Sequence, residues 1–265
     1  MSQPLCRAST LRRLEARHAD SPLMQRAGRA SADFALELQV DRKHPVLVLA
    51  GPGNNGGDAI EAARLLHGHF PEICVVMAGD PAALPPDAAA AFARFRAAGG
   101  QTLSAIPDVP RWSLIIDGLF GIGLSRAPDS QFSQMILRAN QLAQRDQCPL
   151  LALDCPSGLN ADTGCVPGAV IAATHTLTFI SGKPGLLTAD GPDHCGEIRI
   201  ATLGIGPDEE TAADGAIVST QVFAERLKPR QRNSHKGSFG GVGILGGSKS
   251  MCGAALLAGR AALKL

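Results

Sequence analysis

The sequence has no tyrosine at all and only one tryptophan in 265 residues. Without tyrosine, every mechanism that needs a phenol acid or base is removed, including the tyrosine–lysine pair of short-chain dehydrogenases. An excess of one charge is missing too: 25 Lys and Arg stand against 24 Asp and Glu, a net charge of +1. A nucleic-acid footprint needs a basic surplus, so no nucleic-acid partner is expected. No apolar run approaches the roughly 18 residues of a membrane span, so no membrane association is expected. "MSQPLCRASTLRRLEARHAD" has no apolar core of a secretory signal. "TLRRLEARHADSPLMQRAGRASADFAL" has the arginines of a transit sequence, but its acids and helical apolar period read as a working helix. Seven cysteines are scattered without a C-x-x-C, and Cys148, Cys155 and Cys165 fit no zinc spacing. Reduced thiols in a cytoplasmic protein are the preferred reading. His67 and His69, two apart on one predicted helix, point to different faces and make no metal pair.

What is present is ordinary globular material: 45% hydrophobic and 18% charged residues, enough to bury a core. A helical segment from about Thr10 to Leu38 breaks near Asp20-Ser21-Pro22, with Pro22 suited to a first turn and Asp20 or Ser21 to its cap. Apolar strands then alternate with helices. Strands are expected at 46–50, 73–78, 102–104, 113–117, 149–154, 174–180 and 197–202, and helices at 59–70, 86–98 and 130–145. Continuous apolar strands separated by amphipathic helices predict an α/β fold: a doubly wound, mostly parallel sheet sandwiched by helices in three Rossmann-like layers, preceded by N-terminal helices. The character changes at about Lys228. "KPRQRNSHKGSFG" reads as a linker, and the remainder offers one short strand, a glycine turn and one helix. The expected division is 1–227 and 228–265.

Three polar, glycine-rich loops follow apolar strands at 51–58, 117–127 and 154–160, so all leave the carboxyl edge of the sheet, where ligands of such folds bind. The first loop, "GPGNNGGD", places four glycines and two asparagines in eight residues. Glycines allow positive φ and close backbone approach, and the following helix offers free N–H groups to an anion. It is neither a Walker loop nor a strict G-x-G-x-x-G. A tight turn is the bland alternative, but adjacent Asn54 and Asn55 supply amide ligands that a turn does not need. Asp58 suits a helix cap or a sugar-hydroxyl acceptor. In the second loop, "GIGLSRAP" is either a turn or a second cradle for a diphosphate, with Arg126 assisting. In the third, Asp154 is a candidate general acid–base if partial burial raises its pKa. Cys155 lacks a histidine to activate it. Asn55, Asp117 and Ser157 form a hard-oxygen set for a monovalent cation or else a hydrogen-bonded network.

Taken in order, "TLRRLEARHADSPLMQRAGRA", "LAGPGNNGGDA", "IIDGLFGIGL", "LALDCPSGLNADTG" and "TLTFISGKPGLL…GEIRIATLGI" resemble the N-terminal epimerase domain of NAD(P)H-hydrate repair proteins, over about residues 8 to 227. Ala59 and Cys155 are small departures, from Gly and from Ile or Val. The resemblance implies interconversion of the R and S forms of hydrated NADH or NADPH, with Asp154 catalytic. Asn54, Asn55, Gly56, Gly57 and Asp58 would contact the nucleotide, as would Gly121, Ile122, Gly123, Leu124, Ser125, Arg126 and Ala127. Lys183 matches a lysine often seen in the family and supplies either charge near the site or a packing stem. Asn55, Asp117 and Ser157 would hold one potassium ion, and a homodimer is expected. The tail "SHKGSFGGVGILGGSKSMCGAALLAGRAALKL" resembles the opening of the ribokinase-like dehydratase domain of bifunctional members. That domain's ADP or ATP site and catalytic aspartate are not among these residues, so no ADP, ATP or dehydratase activity is expected here.

Two rivals remain in view. A NAD-dependent dehydrogenase would want a ribose-binding acid about 20 residues after the glycines, and Glu72 and Asp80 are poorly placed for it. A non-catalytic nucleotide-binding or interaction module would keep the glycines but need no acid.

Overall fold

The computed structural model describes residues 3–124, 126–227, 229, 231–235, 237–248, 250 and 252–264. The chain divides into two compact units, Met1–Val218 and Ser219–Leu265.

In the first unit the order is β1 (Gln3–Leu5), α1 (Ala8–Arg17), α2 (Leu23–Glu37), β2 (Val46–Ala50), α3 (Asn54–Leu66), β3 (Ile73–Met77), α4 (Pro86–Ala97), β4 (Thr102–Leu103), β5 (Leu114–Gly118), α5 (Ser130–Asp146), β6 (Leu150–Leu153), β7 (His175–Phe179), α6 (Gly191–His194), β8 (Glu197–Ala201) and β9 (Gly215–Ile217). Seven strands form one parallel sheet in the order β4-β3-β2-β5-β6-β7-β8. All five residues of β2 are buried. Its alternate side chains Val46, Val48 and Ala50 enter one core with α1, α2 and α3, while Leu47 and Leu49 enter another with α5 and Trp112. Helices covering both faces explain why the strands read as unbroken apolar runs rather than alternating ones. The direction of winding reverses between β2 and β5, and the carboxyl ends of such neighbours frame a crevice.

Three local expectations differ from the structure. Helix α3 starts at Asn54 rather than Ala59, so Asp58 is a helical residue and not a cap. Pro22 precedes α2, and neither Asp20 nor Ser21 makes a side-chain capping bond to it. The third is an unexpected two-stranded antiparallel sheet of β1 and β9. Around it, the Cys6 N–H donates to Gly182 O, and Ser181 Oγ donates to Pro4 O. This clasp fixes the start of α1 beside the loop after β7.

The second unit contains α7 (Thr220–Phe223) and α8 (Gly253–Ala262). The strand expected near 241–245 does not form. Val242 and Leu245 are exposed, and among the described residues of this unit no strand offers partners for its backbone groups.

Candidate active site

The carboxyl ends of β2, β5 and β6 lie side by side, and a cavity of about 560 Å³ opens beside them. Its floor is formed by Pro52, Gly53, Asn54, Asn55 and Asp58 from the first loop, Leu119 to Gly123 from the second, and Asp154 from the third. Helices α1 and α2 contribute Leu11, Arg12, Glu15, Met24 and Ala27, and His18 follows α1.

The glycines of the first loop have a different reason from the expected one. None of the four has a positive φ. A Cβ on Gly51 would strike the Leu119 carbonyl, and one on Gly56 would strike the Gly51 carbonyl. One on Gly57 would lie 2.8 Å from Ala88 Cα and from the Met24 side chain. Three glycines therefore let the first turns of α3 sit directly on backbone. Gly53 alone has open space at its Cβ position and lines the cavity.

Asp154 follows β6 in a left-handed conformation, φ +66°, which is costly for a residue with a side chain. Its Oδ1 lies 2.6 Å from Lys183 Nζ. Oδ2 accepts from the Ile122 N–H at 3.2 Å, and Oδ1 from the Phe179 N–H at 3.4 Å. Lys183 is fully buried, and its ammonium also donates to Thr178 Oγ1 at 2.5 Å and Phe179 O at 3.2 Å. All three of its protons are thus used. It does not line the cavity, so of the two expected roles it takes that of a charge near the site, paired with Asp154, and not that of a packing stem reaching for water.

Asp117, on β5, is fully buried. Ser157 donates to it twice, from the backbone N–H at 2.8 Å and from Oγ at 2.7 Å, and the Leu119 N–H donates at 3.2 Å. Burial pushes its carboxyl up to about 6 against the lowering effect of these three bonds. Asn55 Nδ2 donates to Phe120 O at 2.9 Å and Leu153 O at 3.1 Å, which pins the amide. The Phe120 N–H donates to Ser157 Oγ at 2.8 Å. Asn55, Ser157 and Asp117 are therefore tied through Phe120 into one cluster. Asn55 Oδ1 is buried with no hydrogen-bond partner among the described residues. A buried amide oxygen left unpaired costs free energy unless something electropositive meets it.

Asp58 is only 9% exposed and lines the cavity without a hydrogen bond or ion pair among the described residues. Burial, and then the charges of Asp154, Glu15 and Asp87, push its carboxyl well above the usual range. Glu15 is raised as well, by burial and by Asp154, against Lys183 and Arg12.

Of the other residues singled out from sequence, Gly56 and Gly57 pack on protein, and Leu124, Arg126 and Ala127 do not reach the cavity. Ser125 lies outside the described residues. Cys155 is buried, and its thiol is pushed well up by burial, which removes it as a nucleophile. Asp80 caps a turn by accepting from the Ala82 N–H, and neither it nor Glu72 lines the cavity, so the dehydrogenase rival lacks its ribose acid. The contributions of α1 and α2 are missing from the sequence reading. Their amphipathic pattern marks a buried face but not which part of it meets a cavity.

A sequence profile described as "YjeF-related protein N-terminus" matches residues 20–185. The Bifunctional NAD(P)H-hydrate repair enzyme Nnr of Escherichia coli (strain K12) is 40% identical over 246 residues, covering 91% of this chain and 46% of that protein. The bifunctional NAD(P)H-hydrate repair enzyme of Leishmania major is 37% identical, covering 91% and 44%. The NAD(P)H-hydrate epimerase of Bordetella pertussis is 46% identical over 191 residues, covering 70% of this chain and 80% of that protein. The chain spans about half the length of the bifunctional relatives. A yeast protein known from its crystal structure, ynu0, shares the fold with a TM-score of 0.53 at 19% identity, over 67% of this chain and 76% of that one.

Proposed function

The chain belongs to the YjeF-related N-terminal family, and from that premise we propose that its first unit interconverts the R and S epimers of hydrated NADH and NADPH. The observation that carries the reading is Asp154. It is a carboxylate held at a strand end in a costly backbone conformation, paired behind with Lys183 and open in front to a cavity large enough for part of a dinucleotide. A simple binding module has no use for such an arrangement. The hydrate carries its hydroxyl on C6 of the reduced nicotinamide, next to the ring nitrogen. Protonation of that hydroxyl lets the C6–O bond break as the nitrogen lone pair moves in to form a C6=N bond. Water then adds to the opposite face, losing a proton, and the nitrogen recovers its pair. Asp154 exchanges that proton, while Asn54, Gly53 and the second loop hold the nucleotide.

The oxygen cluster of Asn55, Asp117 and Ser157 fits a potassium ion. The set is hard, carries one charge, and contains an amide oxygen that lacks a partner. A potassium ion bound there would add a fixed positive charge beside the dinucleotide and tie the three strand ends together. The family resemblance supports a homodimer, and light scattering of the purified protein checks it. A cytoplasmic setting is supported by seven free cysteines, five of them buried.

The test is chiral separation of one purified epimer of hydrated NADPH incubated with the protein and potassium. Rapid loss of stereochemical purity, abolished in Asp154→Asn, is expected. A rate no greater than buffer alone, with dinucleotide bound, would leave the binding-module reading in its place.

A further inference from the structure

No bond of its side chain ties Asp58 to the rest of the fold among the described residues. It makes no capping bond to α3, no ion pair and no hydrogen bond among the described residues. A carboxyl that is nine-tenths buried and unpaired is costly as an anion, and a protein without a use for it would carry an apolar residue there. Every group that acts on its charge is itself acidic: Asp154 at the end of β6, Glu15 on α1 and Asp87 on α4. Arg12 of α1 and His18 just after it line the same cavity without pairing to it. Asp58 is thus a carboxyl of the cavity with only acidic neighbours acting on it, whereas Asp154 is paired with the Lys183 ammonium.

The chemistry of the proposed reaction asks for both. In the two epimers the C6 hydroxyl projects from opposite faces of the ring. A single carboxyl fixed on one side reaches one of them. Asp58 descends from β2 and Asp154 from β6, with the end of β5 between them. Those two strands are separated by two sheet spacings, about 9–10 Å.

Resting on the epimerase reading, we propose that Asp58 is a second proton-transferring carboxyl, serving the face of the nicotinamide ring opposite Asp154. Starting from one epimer, the Asp58 carboxyl gives its proton to the C6 hydroxyl. The C6–O bond breaks, water leaves with the bonding pair, and the ring nitrogen forms the C6=N bond. Water then adds to C6 from the other face while the Asp154 carboxylate takes its proton. The reverse conversion runs the same steps with the two carboxyls exchanged. Between turnovers, proton exchange with water restores the starting state.

The test follows one epimer of hydrated NADPH in water enriched in oxygen-18. The parent protein inverts the substrate, and each inversion brings in one labelled oxygen. Absence of inversion or of label in the parent defeats the epimerase reading itself, and with it this one. Given parent activity, Asp58→Asn is expected to slow inversion by about 100-fold or more with KM little changed. It should still exchange label, without inversion, into the epimer whose hydroxyl faces Asp154. Inversion within about threefold of the parent, or an effect confined to KM, overturns the proposal. Asp154→Asn provides a reading that does not depend on the Asp58 variant. Label exchange confined to the opposite epimer supports two carboxyls, and loss of exchange from both epimers alike means that Asp154 serves both faces.

Discussion

Lys183 and Asp154 pair a buried ammonium with a carboxylate at the cavity wall, and a double-variant cycle on them has a calculable outcome. The ammonium has no exposure, while the carboxylate is 13% exposed and faces the cavity. Asp154→Asn therefore leaves a buried positive charge with only Thr178 Oγ1, Phe179 O and a neutral amide around it. Removing one partner of a buried pair typically costs about 3–5 kcal/mol. For a unit of this size, at about 2–4 °C per kcal/mol, that lowers the melting temperature by about 10 °C. Lys183→Met leaves the carboxylate with its two backbone N–H donors and access to water, so its cost is about 1–3 kcal/mol, chiefly lost hydrogen bonds. The double variant buries neither charge. It should lose far less than the sum of the two, with a coupling of about 3 kcal/mol, because an uncharged replacement for a buried pair is often nearly neutral. Urea unfolding followed by tryptophan fluorescence measures all three. Trp112 is the only tryptophan, is 1% exposed and belongs to the first unit, so the signal reports that unit alone. Additivity within about 0.5 kcal/mol would refute the claim that the buried ammonium depends on Asp154. The cycle also separates folding from chemistry, since a double variant that melts like the parent but does not invert substrate has lost Asp154's proton transfer and not its structure.

Gly51→Ala drives a Cβ into the Leu119 carbonyl, backbone against backbone, and is expected to abolish soluble expression or lower the melting temperature by more than about 10 °C, whereas Gly53→Ala meets nothing and should melt as the parent does. Equal tolerance of both would refute the steric account of the loop. Asp117 gives a pH dependence. A carboxyl raised from 3.8 to about 6 on folding binds its proton more tightly folded than unfolded, so stability is greatest below about pH 4 and falls as pH rises to about 6. The shift is worth about 3 kcal/mol at 1.36 kcal/mol per unit. Because a cation meets the ionised form, potassium replacing choline at constant ionic strength should raise the melting temperature at pH 7.5 and not at pH 5. An equal rise at both pH values would place the ion elsewhere.

The centre of the sheet is legible in the sequence because β2, β3 and β6, covered on both faces, are unbroken apolar runs, and β2, "VLVLA", is read to the residue. The clasp of β1 and β9 is not legible, since each strand has three residues and their partnership spans almost the whole first unit. The start of α3 is misread for a physical reason. Gly56 and Gly57 are among the poorest helix formers, so local propensity ends the loop at Asp58. Packing overrides propensity, because only residues without a Cβ fit against Gly51 and Ala88. The candidate carboxyls are legible as strand-end or loop acids, but their electrostatics are not. The charge facing Asp154 comes from the loop after β7, and those facing Asp58 come from α1, α4 and β6.

The loop glycines and the unpaired acid are parts of one device. An ordinary residue at 51 would push the turn off Leu119 after β5, one at 56 would push α3 off Gly51, and one at 57 would push it off Ala88 of α4 and Met24 of α2. Asp58 would then stand in water, where it would be an ordinary carboxylate with nothing to contribute as an acid. With glycines there, the helix settles onto the strand ends, and its second turn carries Asp58 into the cavity beneath α1 and beside α4. The loop after β7 gives Asp154 a counter-ion, and no element gives one to Asp58 among the described residues. Two carboxyls of one residue type thereby occupy opposite electrostatic situations in a single cavity, which is the condition for one to hold a proton while the other accepts one. A glycine-rich turn of this kind acts through what it lets the chain bury, and the ligand-facing backbone is left to Gly53 alone.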